Sequence, residues 1–219
     1  MQSTDHLCAE LHHWANGLRS HAFPFDRRSI PKNGIYILFE VGEIAHDGLR
    51  IVRAGTHTGN NQLQSRLQQH FVAENKDRSI FRKNIGRAIL KRDQDAFLED
   101  GWEIDLTTAA AKAQYAGAID RLKLIETEKR VTNYMQSAFS FVVVPVEAKD
   151  QRLRLESRII STVSNCALCR PSPNWLGNYS PKAKICESGL WLVNELHKEP
   201  LADQELRELV ELPLECASP

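Results

Sequence analysis

The stretch GIYILFEV, Gly34–Val41, decides how this chain folds. It is almost entirely apolar and rich in β-branched and aromatic side chains, which predicts a strand buried on both faces of a sheet. Turn-forming residues follow in GEIAHDG, Gly42–Gly48, and a second strand-like segment, LRIVRAG, occupies Leu49–Gly55. Two such segments joined by a turn predict a β-hairpin.

Helical periodicity begins soon after the hairpin. In NNQLQSRLQQHF, Asn60–Phe71, apolar residues recur four positions apart, and an asparagine stands where it could cap the helix. Arg66 and His70 are also four apart, so they share a face beside the apolar stripe. The other predicted elements are helices over 5–18, 78–92, 108–135, 152–162, 189–197 and 202–209, and a third strand over Phe139–Val146.

One of these helices carries a carboxylate on its apolar face. In RLRLESRIIST, Arg152–Thr162, the apolar side chains cover one continuous arc of about 160°, and Glu156 projects from the middle of it. A lone buried carboxylate is costly unless it is paired, protonated or bound to a cation. A buried arginine partner is the more common solution, and a bound metal is the alternative.

Composition places the chain among ordinary globular proteins, with 42% hydrophobic and 26% charged residues among 219. No apolar run approaches the roughly 18 residues of a membrane span, and the N-terminus shows no secretory signal. We therefore expect a cytoplasmic protein without a membrane partner. Basic and acidic residues balance at 28 each, but 76–92 holds seven bases and one acid, whereas 199–215 holds six acids and one base. This segregation allows one face to bind an anion.

The cysteines are five in number, which argues against a disulfide scaffold because the count is odd. Cys166 and Cys169 form a C-x2-C pair, with Cys186 and His197 further on. A zinc knuckle is one interpretation of this pattern. We favour the other interpretation, buried thiols acting as small hydrophobes, because no second pair follows at zinc spacing.

The order of these features resembles the GIY-YIG nuclease family. The residues that carry the resemblance are GIY at Gly34–Tyr36, the glycine of RAG at Gly55, Arg66 and His70 on the first helix, and Glu156 on the helix after the third strand. The strings NKDRSIFRKNIGRAIL, NWLG and SGLW look like one branch of that family.

The resemblance implies an α/β (α+β) fold, with a small central sheet of about three strands flanked by helices. It covers about 33–180, which we take as the nuclease-like domain, with a helical insertion at about 75–135. Residues 1–32 and 181–219 are then helical extensions at the two ends.

The resemblance also implies roles for single residues. Tyr36 would help to activate the water nucleophile, and Arg66 would contact the scissile phosphate. His70 would take part in proton transfer. Glu156 would be the sole carboxylate that binds one divalent metal, Mg²⁺ or Mn²⁺, in each active site.

The chain departs from the family at the second motif. Where that motif should read Tyr-Ile-Gly, the sequence is Arg53-Ala54-Gly55. Arginine stays protonated and cannot act as a general base, although it could donate hydrogen bonds to a phosphate or to Tyr36. Arg53 therefore belongs either to a working active site or to a module that binds DNA without cleaving it.

Contacts to the nucleic acid are expected from a basic face and from loops near the site. The predicted contacts are Arg82, Lys83, Arg87 and Lys91 on the second helix, His57 in the loop after the hairpin, and Asn174 after the Glu156 helix, with Asn178 and Asn165 as alternatives to Asn174.

The predicted function is a metal-dependent DNA endonuclease with a single-metal mechanism. RNA is left open as a substrate, and a dimer is one option for cutting both strands. The alternatives are an inactive DNA-binding module and a cysteine-zinc interaction protein built on Cys166, Cys169, Cys186 and His197.

Overall fold

A four-stranded antiparallel sheet forms the centre of the protein. The structure is a computed structural model and describes residues 3–211. The strands are β1 (His21–Ala22), β2 (Gly34–Ala45), β3 (Gly48–Gly55) and β4 (Phe139–Pro145), in the spatial order β1-β4-β2-β3. The predicted α+β fold is confirmed, and so is the hairpin of β2 and β3.

The sheet has one strand more than the three that the sequence predicted. β1 lies in the loop before β2, where His21 and Ala22 pair with Phe141 and Ser140 of β4. A strand of two residues is too short to show an alternating pattern, so only its tertiary pairing reveals it.

Helices cover both faces of the sheet. They are α1 (Thr4–Asn16), α2 (Leu63–Phe71), α3 (Ile80–Arg92), α4 (Ala109–Gln114), α5 (Arg121–Ala138), α6 (Lys149–Asn165), α7 (Ala183–Ser188) and α8 (Asp203–Val210). Short 3-10 turns lie at Arg27–Ser29, Lys76–Arg78 and Leu176–Tyr179, and a π turn lies at Leu98–Trp102. Among the described residues, no helix is both long and apolar enough to cross a membrane.

Two helices differ from the prediction. The region 108–135 is divided into α4 and α5, because α5 makes a new start where the Asp120 side chain accepts a hydrogen bond from the backbone N–H of Lys123 (2.9 Å). The prediction of a helix near 189–197 is wrong. α7 ends at Ser188, and the Gly189 that caps it has φ +68°. This left-handed conformation favours glycine, so Gly189 terminates a helix rather than beginning one.

The predicted asparagine cap of α2 is also wrong. The helix begins at Leu63, and Gln62 before it makes no side-chain cap. Asn61 lies in the preceding turn, where its backbone N–H donates to Asn33 Oδ1 (2.7 Å). The asparagine therefore ties this turn to the start of β2.

The core has two parts, one on each face of the sheet. Tyr36 and Leu38 belong to the cluster formed with α2, α3 and α5, whereas Ile35 and Ile37 belong to the cluster formed with α1, α6 and α8. All four side chains are fully buried. The first half of β2 is apolar because neither of its faces meets solvent.

The outer edge of β3 is covered by two other segments. The backbone N–H of Trp191 donates to Val52 O (2.9 Å), and the backbone N–H of Ile51 donates to Nε2 of His12 on α1 (3.1 Å). An unpaired strand edge is a template for further strand pairing, so α1 and the segment after α7 both protect the sheet.

Candidate active site

Glu156 lies on α6, facing the end of β3. Its Oε1 accepts a hydrogen bond from the backbone N–H of Thr56 (3.1 Å), and no residue within 3–211 forms an ion pair with it. Burial raises the pKa of the Glu156 carboxyl, and the charge of Arg53 and the Thr56 N–H oppose that rise. No described arginine forms an ion pair with this carboxylate, although the buried Arg53 lies near enough for its charge to act on it.

Glu156 stands between two cavities and contributes to the walls of both. The first cavity, of about 480 Å³, contains Arg66. The second, of about 460 Å³, contains Arg53 and Trp191. The carboxylate therefore has an arginine on either side, each close enough for its charge to lower the Glu156 pKa.

Arg66 presents its guanidinium to the first cavity from α2. Its Nη1 donates to Gln69 Oε1 (3.2 Å) and to the carbonyl oxygen of Arg78 (3.4 Å). Arg66 is half-buried and forms no ion pair with another described residue. A planar guanidinium whose charge is not neutralised by protein is well suited to a phosphate.

Arg53, at the altered motif, reaches the second cavity from β3. Its Nη1 donates to the carbonyl oxygen of Trp191 (2.5 Å), and the guanidinium carbon lies 4.8 Å from the ring centroid of Phe81. Its Nε is buried and has no hydrogen-bond partner in the described structure. A buried donor without an acceptor is costly, so this arginine has capacity for an anionic ligand.

Tyr36 and His70 form a buried pair behind the cavities. Tyr36 Oη lies 2.9 Å from His70 Nε2, and His70 Nδ1 lies 2.7 Å from Ser79 Oγ. Burial, assisted by the charges of three nearby arginines, lowers the pKa of His70 well below its usual value. The imidazole is therefore neutral near pH 7, and the neutral ring can share a hydrogen bond with the phenol. Both rings are fully buried, and neither lines the two cavities.

Gly55 provides the space that Tyr36 occupies. The two residues pair across the β2–β3 hairpin, and a Cβ on Gly55 would lie 2.2 Å from Tyr36 Oη. The glycine of the RAG segment is therefore required by the neighbouring phenol.

His57 lines the first cavity, but both of its ring nitrogens are engaged by backbone. Nε2 accepts from the N–H of Gly34 (3.4 Å), and Nδ1 donates to the carbonyl oxygen of Gly59 (2.6 Å). Burial lowers its pKa. The ring holds the loop after β3 against β2, a role that a loop histidine does not reveal in sequence.

The prediction that α3 presents an exposed row of basic residues is wrong. Arg82 is fully buried and donates to Glu128 Oε2 (2.7 Å). Lys83 and Arg87 are also buried, and each pairs with an acidic side chain. Lys91 is the member of the row that remains exposed. Acidic residues of the insertion neutralise the other three, which a helix pattern alone cannot show.

The predicted asparagines lie outside both cavities. Asn174 is exposed in the loop after α6, while the side-chain amides of Asn165 and Asn178 donate to backbone oxygens. Asn194 instead lines the second cavity with Glu156. The sequence signal for Asn194 is its place three residues after the SGLW string, beyond the loop in which the sequence predicted the asparagine.

Of the four zinc ligands that the sequence suggested, Cys186 and His197 contact other groups. Cys186 Sγ donates to the carbonyl oxygens of Gly177 and Ser180 (both 3.3 Å), and His197 Nδ1 contacts Asn165 Oδ1 (3.2 Å). Within the described residues, the one cluster of potential metal ligands contains neither Cys186 nor His197.

A family model described as GIY-YIG domain matches residues 1–215, so the chain belongs to the GIY-YIG family. Its members are nuclease-type proteins that act on nucleic acid and typically use a divalent metal. No match was found among curated proteins or among solved structures.

The donors around Glu156 fit a hard divalent cation. Glu156 Oε2 receives no hydrogen bond from residues 3–211, and the side-chain oxygens of Thr58 and Gln62 line the same cavity. Mg²⁺ uses one or two protein carboxylates and keeps several waters. A single carboxylate in a polar cavity is therefore sufficient.

Proposed function

We propose that this protein is a metal-dependent DNA endonuclease that hydrolyses phosphodiester bonds with one divalent metal in its active site. The observation that supports the proposal most directly is Glu156, a partly buried carboxylate without an ion-pair partner among the described residues, between Arg66 and Arg53. A phosphate above this carboxylate meets positive charge on both sides. Such preorganised charge stabilises the charge that develops on the phosphoryl oxygens.

Glu156 would hold the metal, Mg²⁺ or Mn²⁺, with Oε2 while Thr56 N–H fixes Oε1. The bound cation would supply Lewis-acid stabilisation and help to ionise water. Arg66 would bind the phosphate from the first cavity. Arg53 would bind it from the second, with the unpartnered Nε as the donor to spare.

Tyr36 and His70 would remove the proton from the attacking water. Tyr36 Oη lies 2.9 Å from Nε2 of His70, and a neutral imidazole there can accept the hydrogen bond of the phenol and hold Tyr36 in place. Both groups are buried, so the proposal requires the cavity wall to open when substrate binds. Lys91 and Asn174, both exposed, would add contacts to the DNA backbone.

The test is nicking of supercoiled plasmid with Mg²⁺ or Mn²⁺, beside Glu156→Gln and Arg66→Ala. Each variant should lose about 100-fold or more in rate, the usual effect of removing one electrostatic group. Arg121→Ala is the matched control, because Arg121 is an exposed cation on α5 outside both cavities, and it should nick normally.

The second candidate function is DNA binding without cleavage, and Arg53 in place of the second tyrosine is the observation that favours it. If the wild-type protein binds DNA and cleaves neither plasmid nor RNA with either metal, that result would contradict the endonuclease proposal and support DNA binding without cleavage. If the protein cleaves RNA but not DNA, the proposed substrate is wrong and the assigned site residues still stand. Full nicking by Glu156→Gln would refute the assigned metal ligand.

A further inference from the structure

A cluster of thiols and imidazoles lies away from the candidate active site. Cys8 and His12 stand one turn apart on α1, His46 lies in the turn between β2 and β3, and Cys166 and Cys169 follow α6. The three thiols are free and buried. Segments that are far apart in sequence thus bring five nitrogen and sulfur donors together.

The spacing of these donors is close to that of a metal site. The ligand atoms of Cys8, His12, His46 and Cys169 all lie within 4.8 Å of one another. Cys166 Sγ lies 3.4 Å from His46 Nε2, and the Cys8 thiol contacts both Cys166 and Cys169. Zinc bonds of about 2.3 Å to sulfur and 2.0 Å to nitrogen separate tetrahedral ligands by about 3.5–3.8 Å.

His12 is already committed to other partners. The backbone N–H of Ile51 donates to its Nε2 (3.1 Å), so that nitrogen is an acceptor and the ring proton is on Nδ1. Nδ1 then donates to the carbonyl oxygen of Cys8 (2.8 Å). His46, in contrast, forms a hydrogen-bond contact only with Cys166 among the described residues. Of the two histidines, His46 therefore has the available lone pair.

The loop that carries the C-x2-C pair is held in shape without a metal. The backbone N–H groups of Leu168 and Cys169 donate to Cys166 Sγ. The N–H of Ala167 donates to Oδ1 of Asp5 on α1 (2.7 Å). Contacts of this kind orient metal ligands.

We propose that Cys8, His46, Cys166 and Cys169 bind one zinc ion in tetrahedral geometry, with His12 as a positioning residue beside them. Three sulfurs and one imidazole are donors that zinc takes in closed structural sites, whereas Mg²⁺ takes oxygen. Binding releases the three thiol protons to solvent, and His46 binds through neutral Nε2.

This zinc site is separate from the candidate active site. Cys166 follows the last turn of α6, ten residues after Glu156, which places it about 15 Å further along the helix axis. The ion would join α1, the β2–β3 turn and the end of α6. The ion would therefore stabilise the fold and fix the position of α6, the helix that carries Glu156.

The first test measures the zinc content of the purified, reduced protein by inductively coupled plasma mass spectrometry. Protein stripped of metal with a chelator is then titrated with Zn²⁺ in competition with a chromogenic chelator. We expect one equivalent, bound with high affinity. Cys169→Ser and His46→Gln should weaken binding by more than about 100-fold, beyond the loss typical of second-shell changes. Wild-type protein that takes up no zinc would overturn the proposal.

Two controls separate ligands from bystanders. Cys186→Ser removes a thiol outside the cluster and should bind zinc like the wild type. His12→Gln should keep one equivalent of zinc. Loss of zinc in His12→Gln with full binding in His46→Gln would overturn the assigned ligand set.

Cobalt provides a readout that does not depend on any variant folding. Co²⁺ added to stripped wild-type protein should give the intense visible bands of tetrahedral coordination together with thiolate charge-transfer absorption. A weak octahedral spectrum without sulfur bands would contradict the site.

Discussion

Gly55 is the residue on which the position of Tyr36 depends most directly. In Gly55→Ala the new Cβ would stand 2.2 Å from Tyr36 Oη, so the phenol must leave His70. We expect nicking to fall by about 100-fold if Tyr36 is the base, and the free energy of unfolding to fall by about 1–3 kcal/mol. Gly117→Ala is the control, because a Cβ there meets no atom within 4 Å. Unchanged nicking in Gly55→Ala would show that Tyr36 needs no fixed position.

His70 makes the stability of the protein depend on pH. Its folded-state pKa lies below the ordinary value of 6.5, so the unfolded chain binds the proton first as pH falls. The stability that the neutral ring contributes is complete above pH 6.5 and is lost below it. Between pH 7.5 and pH 5.5, the free energy of unfolding measured in urea should fall more for the wild type than for His70→Gln. His13→Gln, at an exposed histidine of α1, should behave like the wild type.

Glu156 should link metal binding to stability. A ligand that binds only the folded state raises the unfolding temperature, so Mg²⁺ should raise the Tm of the wild type and not that of Glu156→Gln. Without metal, Glu156→Gln should be the more stable protein, because burial raises the pKa of the Glu156 carboxyl more than the charges of Arg53 and Arg66 lower it, so the charged form costs stability. Equal Mg²⁺ shifts in both proteins would place the cation elsewhere.

At the level of helices, α3 shows where sequence patterns mislead. Its basic residues follow helical spacing and look like a solvated face, yet α3 is packed between the sheet, α5 and the π turn at Leu98–Trp102. Arg82 can be buried because Glu128 of α5 lies opposite it. Periodicity reports which residues share a face, but it does not report what covers that face.

The Arg82–Glu128 pair should act as a structural link between α3 and α5. Arg82→Met leaves a buried carboxylate without its partner, which typically costs about 3–5 kcal/mol of stability. Arg92→Ala breaks an exposed pair with Asp93 and should cost less than about 1 kcal/mol. Chemical denaturation of the two variants measures the difference. If Arg82→Met loses little free energy of unfolding but binds DNA more weakly than the wild type, Arg82 would be a contact to DNA.

For the whole molecule, the balanced charge predicts a weak dependence of DNA binding on salt. Basic and acidic residues are equal at 28 each, and the arginines that line the two cavities are Arg53 and Arg66. With the exposed Lys91 as a third cationic contact, three phosphate contacts give a slope of about −3 in a plot of log affinity against log salt. A slope several times steeper would reveal a basic surface beyond the two cavities.

The sequence predicted the chain order of the fold because β2, β3, β4 and most helices have strong apolar patterns. It also identified Glu156 as a carboxylate on an apolar arc, and the structure places this residue in the walls of both cavities. It missed Asn194 and the cysteine–histidine cluster, because each depends on contacts between segments far apart in the chain. Spacing such as C-x2-C identifies ligands within one loop, and Cys8 and His46 come from elsewhere.

The covered edge of β3 has a consequence for truncation. The motif residues from GIY at Gly34–Tyr36 to Glu156 lie within 33–180, so a fragment with that range looks like a minimal nuclease. Such a fragment lacks Trp191, whose backbone closes the edge at Val52 and accepts the bond from Arg53. It also lacks His12, which closes the edge at Ile51. The bare strand would recruit a strand from another copy, so the fragment should aggregate where the full chain remains dispersed.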